Sequence, residues 1–251
     1  MDKAAKEALT TSGVDGGVNI KLTKCKWGGC VMSNKFEFDE CFEEFLNVFG
    51  LPYNTESCPR ATVDKFKGKL PNRLLDYWQE YGFCGFKQGL FWIVNPDDYE
   101  DTLDEWLEHT DIPDNDIYHV FARNAFGDLF LWGEDTGYKY KISTANGWII
   151  EQDGNSRKDN DFSIELFFGG AQIKYHETNS DSGKPLFNAC IKKFGALAND
   201  EMFGFVPSLI VGGESVLANI DKVNFFVHLS ILAEFGQVEV LDHNALIRKA
   251  F

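Results

Sequence analysis

A strand–turn–strand pattern over residues 122–143, ARNAFGDLFLWGEDTGYKYKIS, constrains the fold of this chain more than any other feature. Residues 129–132 form a short apolar run, Gly133 to Gly137 carries turn residues, and apolar and polar residues alternate after it. Short runs bounded by glycine, asparagine and aspartate predict a β-hairpin. Further short strands are predicted at residues 89–94, 117–122 and 148–150. Strands with such close spacing predict one antiparallel meander.

Helical patterns surround this meander. Helices are predicted at residues 38–49, 71–81, 97–108, 162–168, 185–194 and 219–235, with one late strand at residues 238–241. We therefore expect an α+β fold in which a central, mainly antiparallel sheet from residues 90–151 is flanked by helices from the N- and C-terminal parts.

The domain organisation is predicted from two changes in composition. Residues 1–31 show no apolar periodicity, and Met32 looks like a fresh start, so residues 1–31 are interpreted as an appended segment. A polar stretch around residues 152–161 then separates residues 32–155 from residues 156–251. We expect these last two parts to pack as one compact body, because each alone would leave large aromatic side chains uncovered.

The composition limits the setting in which the chain works. Hydrophobic residues make up 44% of the 251 residues and aromatic residues 15%, which is too rich for a disordered protein. The apolar runs are too short to cross a membrane, and the N-terminus lacks the apolar stretch of a secretory signal. Six scattered cysteines favour a reducing compartment. A cytoplasmic protein without membrane contact is therefore predicted.

Charge is the strongest compositional signal. The formal net charge is −15, from 39 acids against 24 bases. Residues 1–31 hold five lysines and three acids, a balance of +2, which leaves −17 for residues 32–251. Such a body repels the phosphates of nucleic acids and membranes, and its natural partners are basic. The alternative is that the acids serve only solubility.

The acids are concentrated in residues 97–116, where ten of twenty residues are acidic and no lysine or arginine occurs. Leu103 and Trp106 lie at helical spacing within this run, so one helix face can pack on a core. The acids then lie on the outer faces without lysines at i,i+4 to relieve their repulsion. Two interpretations stay open: a solvated helix face, or a docking surface for a cationic partner.

No catalytic or metal-binding pattern stands out. Cys25 and Cys30 resemble half a zinc site, but no second ligand pair follows at the required spacing. The five histidines are isolated, and the paired glycines match no phosphate-binding motif. Cys84, between Gly82 and Gly85, has no identifiable base and is interpreted as a buried thiol. We predict no catalytic residue, no metal and no cofactor.

Two stretches resemble a known family. LPNRLLDYWQEYGFCGFKQGLFWIVNPDDYEDTLDEWL (residues 70–107) and ARNAFGDLFLWG (residues 122–133) resemble the bacterial GAD-like domain. LFNACIKKFGALANDEMFGFVPSLIVGGESVLANIDKVNFFVHLSILAEFG (residues 186–236) resembles the C-terminal module that accompanies it in type VI secretion immunity proteins. The resemblance covers nearly all of residues 34–240. A weaker similarity links the aromatic helix before Tyr81 and Gly82 to the SMI1/KNR4-type immunity superfamily.

The resemblance implies an immunity protein that is not an enzyme and that neutralises a DNase effector by binding it, one to one. The binder either occupies the basic groove of the nuclease or holds the nuclease in an inactive shape. The resemblance also implies a scaffold role for the aromatic hairpin, with Trp92, Trp132 and Trp148 filling the interior behind the sheet. On this view, the candidate toxin-binding residues are acids on the outer surface. They are Asp97, Asp98, Asp101, Asp104, Glu105, Glu108, Asp111, Asp114, Asp116, Glu134 and Asp135. A hydrolase with Cys84 or a carboxylate pair in a cleft between the two halves, and an acidic adaptor without a toxin partner, stay open as alternatives.

Overall fold

An eight-stranded sheet forms the centre of this computed structural model, which describes residues 40–108, 110–152, 159–235 and 238–250. The strands in chain order are β1 Tyr53–Glu56, β2 Phe83–Phe86, β3 Phe91–Ile93, β4 Tyr118–Asn124, β5 Leu129–Gly133, β6 Gly137–Ser143, β7 Trp148–Glu151, β8 Glu201–Phe205, β9 Ile220–Asn224 and β10 Glu239–Leu241. β1 to β7 lie side by side in sequence order with antiparallel pairing. β10 adds a parallel edge beside β7, and β8 pairs with β9 in a separate antiparallel ribbon.

Helices from both parts of the chain cover the sheet. They are α1 Glu40–Phe49, α2 Arg60–Phe66, α3 Asn72–Tyr81, α4 Glu100–Leu107, α5 Asn160–Gly169, α6 Ile173–His176, α7 Phe187–Phe194, α8 Phe225–Glu234 and α9 His243–Ala250. α5 from the C-terminal part packs against α1 and α3, and α8 packs against α4. The described residues thus form the predicted α+β fold, with a mainly antiparallel sheet flanked by helices from both ends.

The core is a cluster of aromatic rings that joins the two parts of the chain. Phe91 of β3 is fully buried, with its ring centroid 5.4 Å from that of Phe45, 6.0 Å from that of Phe130 and 6.1 Å from that of Phe168. The imidazole of His176 lies 4.9 Å from the same ring. Large aromatic side chains contribute most of the burial in such a core. The described residues accordingly belong to one compact unit.

The aromatic hairpin is part of this scaffold. All five residues of β5 are buried, and a turn held by Asn124 leads into it. The side-chain oxygen of Asn124 accepts hydrogen bonds from the backbone N–H groups of Phe126 (3.0 Å) and Asp128 (2.9 Å). Gly127 has φ +89°, and a Cβ at this position would lie 2.6 Å from Met202. The motif therefore needs glycine for close packing.

Two sequence predictions need correction, and others stay untested. The predicted helix over residues 219–235 is wrong in its first part, where residues 220–224 form β9 and the helix begins only at Phe225. Trp148 is only partly buried, unlike Trp92 and Trp132. The boundaries predicted at residues 31/32 and 155/156, like Cys25 and Cys30, lie outside the described residues.

The described helices are also short. None of those within the described ranges combines the length and the apolar character that a membrane-crossing segment requires.

Candidate functional site

The acidic run folds as predicted into an amphipathic helix, α4. A short turn over residues 96–99 precedes it and is capped by Asn95, whose side-chain oxygen accepts the N–H of Asp97 at 3.4 Å. Leu103 and Trp106 are buried against the core. The opposite face exposes Glu100, Asp101, Asp104, Glu105 and Glu108. The structure therefore places a carboxylate-rich surface on one side of the fold.

The beginning of this surface is partly neutralised. Lys65 of α2 lies 2.5 Å from the carboxylate of Asp97 and 3.1 Å from that of Glu100. Hydrogen bonds to these two carboxylates raise the pKa of Lys65. The expectation that no base relieves the acidic run was therefore incomplete, because the lysine comes from a distant part of the sequence. The outward negative charge is concentrated further along, at Asp101, Asp104 and the residues that follow.

Asp98, at the start of the run, is exposed as a whole residue. Desolvation of its carboxyl group, together with nearby Glu56 and Asp97, raises the pKa of Asp98. After α4, Asp111 and Asp114 are exposed in the loop that leads to β4.

Asp116, by contrast, has a structural role. Its carboxylate accepts hydrogen bonds from the backbone N–H groups of Ile117 (2.8 Å), Asp135 (3.0 Å) and Thr136 (3.0 Å), and from the Thr136 hydroxyl (2.5 Å). Although partial burial acts to raise it, these hydrogen bonds hold the pKa of Asp116 below its ordinary value. Asp116 therefore fastens the turn between β5 and β6.

The second acidic patch predicted from the sequence, Glu134 and Asp135 at the tip of the hairpin, is also partly paired with basic side chains. Glu134 lies 2.9 Å from the Nε2 atom of His119 and 3.6 Å from the ammonium group of Lys69. Asp135 is exposed. Of the predicted residues, the structure brings those of α4 together on one helix. Asp104 also lines a cavity with Asp114 and Asp116, and Asp116 contacts the hairpin turn that carries Asp135. Glu134 of the hairpin already has a cationic partner.

An apolar stripe on α8 was missed by the sequence reasoning. Val227, Ile231 and Phe235 follow one another at i, i+4 and i+8, and their exposed fractions are 60%, 47% and 41%. The opposite side of the helix is buried through Phe225, Leu229 and Leu232. α8 is therefore apolar on the face that packs on the core and also on a face that meets water. We call Val227, Ile231 and Phe235 the α8 stripe.

The α8 stripe lies beside the acidic helix. The indole Nε1 of Trp106 donates to the backbone oxygen of Leu229 at 3.2 Å, and the Ser230 hydroxyl donates to the Glu105 carboxylate at 3.2 Å. Ser230 directly precedes Ile231 of the stripe, so Glu105 marks the border between acids and apolar residues. We call the exposed surfaces of these two helices the α4–α8 face. It combines apolar area with negative charge, the two components of a protein-binding surface.

A small cavity lies at the junction of the two parts of the chain, where the hydrolase alternative would place its active site. Its volume is ≈ 110 Å³. The residues that line it include Cys84, Trp92, Tyr99, Asn199, Asp200 and Phe226. Burial raises the pKa of the Cys84 thiol to about 12, which opposes the thiolate that a nucleophile requires. The described lining residues include no histidine to act as its base. This arrangement argues against cysteine chemistry here.

Three carboxylates also line this cavity, those of Glu56, Asp98 and Asp200, which is the residue type that the carboxylate-pair alternative requires. His176 is buried among phenylalanine rings, and burial lowers its pKa to about 3, so it stays neutral. No cluster of three or more His, Cys, Asp or Glu side chains within the described ranges is arranged to hold a metal ion. The α4–α8 face is the most distinctive candidate site.

Comparisons with known proteins identify both parts of the chain. Residues 40–146 match the family model of the GAD-like domain, and residues 161–236 match that of the T6SS immunity protein Tdi1, C-terminal. The crystal structure of Atu4351 from Agrobacterium tumefaciens is similar in fold, with a TM-score of 0.70 and 23% sequence identity. The alignment covers 80% of this chain and 92% of that chain. Among curated proteins, no relative matches this chain.

Proposed function

This chain belongs to the GAD-like, Tdi1-type immunity proteins of type VI secretion systems, and we propose that it neutralises a cognate nuclease effector by binding it, without catalysing a reaction. The observation that carries this proposal is the α4–α8 face, where exposed carboxylates border exposed apolar side chains. Binding is expected to be one to one and to take place in the cytoplasm of the cell that makes the effector.

The proposal of a DNase as the target rests on the family resemblance, and the charge of this chain supports it. An enzyme that cleaves DNA needs a basic surface to hold the phosphates, whereas this chain carries a formal net charge of −15. Opposite charges steer the two proteins together and raise the rate of association. An acidic binder also competes with DNA for the basic groove, so capture and inhibition become the same event.

Cells provide the experiment that tests this function. Cells that express the effector encoded beside the gene for this protein are expected to survive only when this protein is also made, and the two proteins are expected to purify together. A neighbouring effector that is no nuclease would exclude a DNase target. Failure of this protein to protect cells or to bind its neighbour would contradict the immunity function itself.

Charge reversal on α4 tests the proposed binding surface. Replacing Asp101 and Asp104 together with lysine is expected to slow association with the effector about tenfold at low salt, because steering depends on the local field. The effect should shrink at high salt, where charges are screened. Both side chains are exposed, so the melting temperature should stay nearly unchanged. Stopped-flow association at two salt concentrations measures this effect.

A matched control separates local from overall charge. Glu40 and Glu43 are exposed on α1 with the same i,i+3 spacing. Their joint replacement by lysine changes the net charge by the same amount, and it should slow association much less. Equal slowing by both pairs would assign the effect to the overall charge, and unchanged association in the α4 variant would remove the acidic helix from the binding surface.

A further inference from the structure

Resting on the proposed function, we propose that the α8 stripe is the apolar anchor of the effector complex and takes up a basic amphipathic helix of the effector. The first support is exposure. α8 is apolar over most of its circumference, with Ser230 and Glu234 on the polar edge, yet it is buried on one side only. Val227, Ile231 and Phe235 project the other apolar side into water as a continuous row one helical turn apart.

The second support is the charge around the stripe. Glu105 lies beside it through its hydrogen bond from Ser230, and Glu234 of α8 is exposed between the stripe and α4. Asp101 and Asp104 extend the negative surface along α4. An apolar row with acids along one edge complements a helix that presents apolar residues at i and i+4 with lysine or arginine beside them. The partner that fits the α8 stripe is therefore a basic amphipathic helix.

A second exposed apolar site, on α5, makes a useful contrast. Leu166 is 47% exposed, the same fraction as Ile231. The acids near it are already engaged, because Glu165 lies 2.9 Å from the Nε atom of Arg73 and Asp161 accepts the backbone N–H of Arg73 at 2.9 Å. These two acids of α5 are thus paired with Arg73, whereas Asp101 and Asp104 of α4 point outward. Leu166 provides a control of equal exposure on a different helix.

The roles of the two helices in binding are expected to differ. Exposed acids at the edge of an interface act mainly on the association rate, whereas buried apolar anchors determine the dissociation rate. The acids of α4 therefore recruit the effector and the α8 stripe retains it. Loss of one exposed apolar anchor at the centre of an interface weakens binding by about tenfold or more.

The test uses the full-length protein and a catalytically inactive form of the effector encoded beside its gene. Ile231→Ser is expected to raise Kd about tenfold through faster dissociation, whereas Leu166→Ser should change Kd less than about twofold. Ile231→Lys should weaken binding more than Ile231→Glu, because lysine places a cation against the basic partner. Thermal melting of each variant verifies that its fold is kept.

The outcomes separate this inference from the function on which it rests. Equal Kd values for Ile231→Ser and wild type, with protection of cells intact, would overturn the α8 anchor and leave the immunity function standing. Equal weakening by Leu166→Ser and Ile231→Ser would also overturn it, since the contact would then not be specific to α8. Absence of binding by the wild-type protein would overturn both proposals.

Discussion

Replacing Arg123 with alanine is expected to lower the free energy of unfolding by about 4 kcal/mol, because it removes a large buried side chain together with its hydrogen bonds. Arg123 in β4 is fully buried. Its guanidinium donates to the backbone oxygens of Asn199 (2.7 Å) and Glu201 (3.3 Å). These carbonyls belong to the C-terminal part of the chain, so the arginine holds that part against the sheet.

Stacking adds to the role of this arginine. The guanidinium carbon lies 4.7 Å from the ring centroid of Trp92 and 4.3 Å from that of Phe225, at the start of α8. A cation between two aromatic faces is attracted to both, and the attraction grows when water is excluded. Burial lowers the pKa of Arg123, which expresses the cost of keeping its charge away from water.

Two further substitutions separate the contributions of side-chain volume, charge and stacking to the stability that Arg123 provides. Arg123→Met keeps most of the volume and removes the buried charge, so it is expected to cost less than alanine, about 2 kcal/mol. Arg123→Lys keeps the charge and loses the planar stacking and the forked donors. Urea unfolding followed by tryptophan fluorescence gives the three values. Arg123→Ala with a stability within about 1 kcal/mol of wild type would contradict the structural role.

Replacing Trp106 with alanine is expected to cost about 3–5 kcal/mol, the range for a large buried aromatic side chain. Trp106 is 1% exposed and fastens α4 to α8 through its hydrogen bond to the backbone oxygen of Leu229. Its loss leaves a cavity between the two helices and removes the hydrogen bond that the indole adds to the Leu229 carbonyl of α8. Amide hydrogen exchange should accelerate most in α4 and α8, and urea unfolding gives the total loss.

Trp148 provides the matched control for this substitution. It is only partly buried in β7, and the ammonium group of Lys249 lies 5.3 Å from its ring centroid. Trp148→Ala is therefore expected to cost much less than Trp106→Ala. Equal losses in the two variants, or acceleration of exchange outside α4 and α8, would show that Trp106 does not specifically join the two helices.

The sheet and the acidic helix were predictable because their patterns are local. The turn between Gly133 and Gly137 separates two apolar runs, and it appears at that place as the β5–β6 turn. Leu103 and Trp106 lie three residues apart, and both are buried on the inner face of α4. Spacing of this kind follows from helix and strand geometry alone.

Other elements were missed because their patterns are ambiguous. Every residue of β2 is buried, so the strand shows no alternation of apolar and polar residues. Ile220 and Val223 lie three residues apart, which is helical spacing, and it is the pairing with β8 that makes this segment a strand. The exposed stripe of α8 was missed for a related reason. Apolar residues occupy most of the circumference of this helix, so the sequence does not tell which apolar side is covered.

Among the residues of the candidate site, too, some features were predictable from local spacing and others were not. That Asp101 and Asp104 face water follows from their positions opposite Leu103 and Trp106. Asp116 is hydrogen-bonded to Thr136, and Asp97 forms an ion pair with Lys65. The partners in both pairs lie far apart in sequence. Ion pairs and turn contacts of this kind appear only once the chain is folded.

The central claim, inhibition of a nuclease by binding rather than by catalysis, is tested most directly by titrating the purified effector with this protein and measuring DNA cleavage. Neutralisation by binding predicts that residual cleavage falls linearly and reaches zero near one equivalent of this protein. The inhibited effector should regain activity after denaturation and separation from its partner. Complete inhibition by a small fraction of an equivalent, or permanent loss of effector activity, would contradict the account and point to an enzyme.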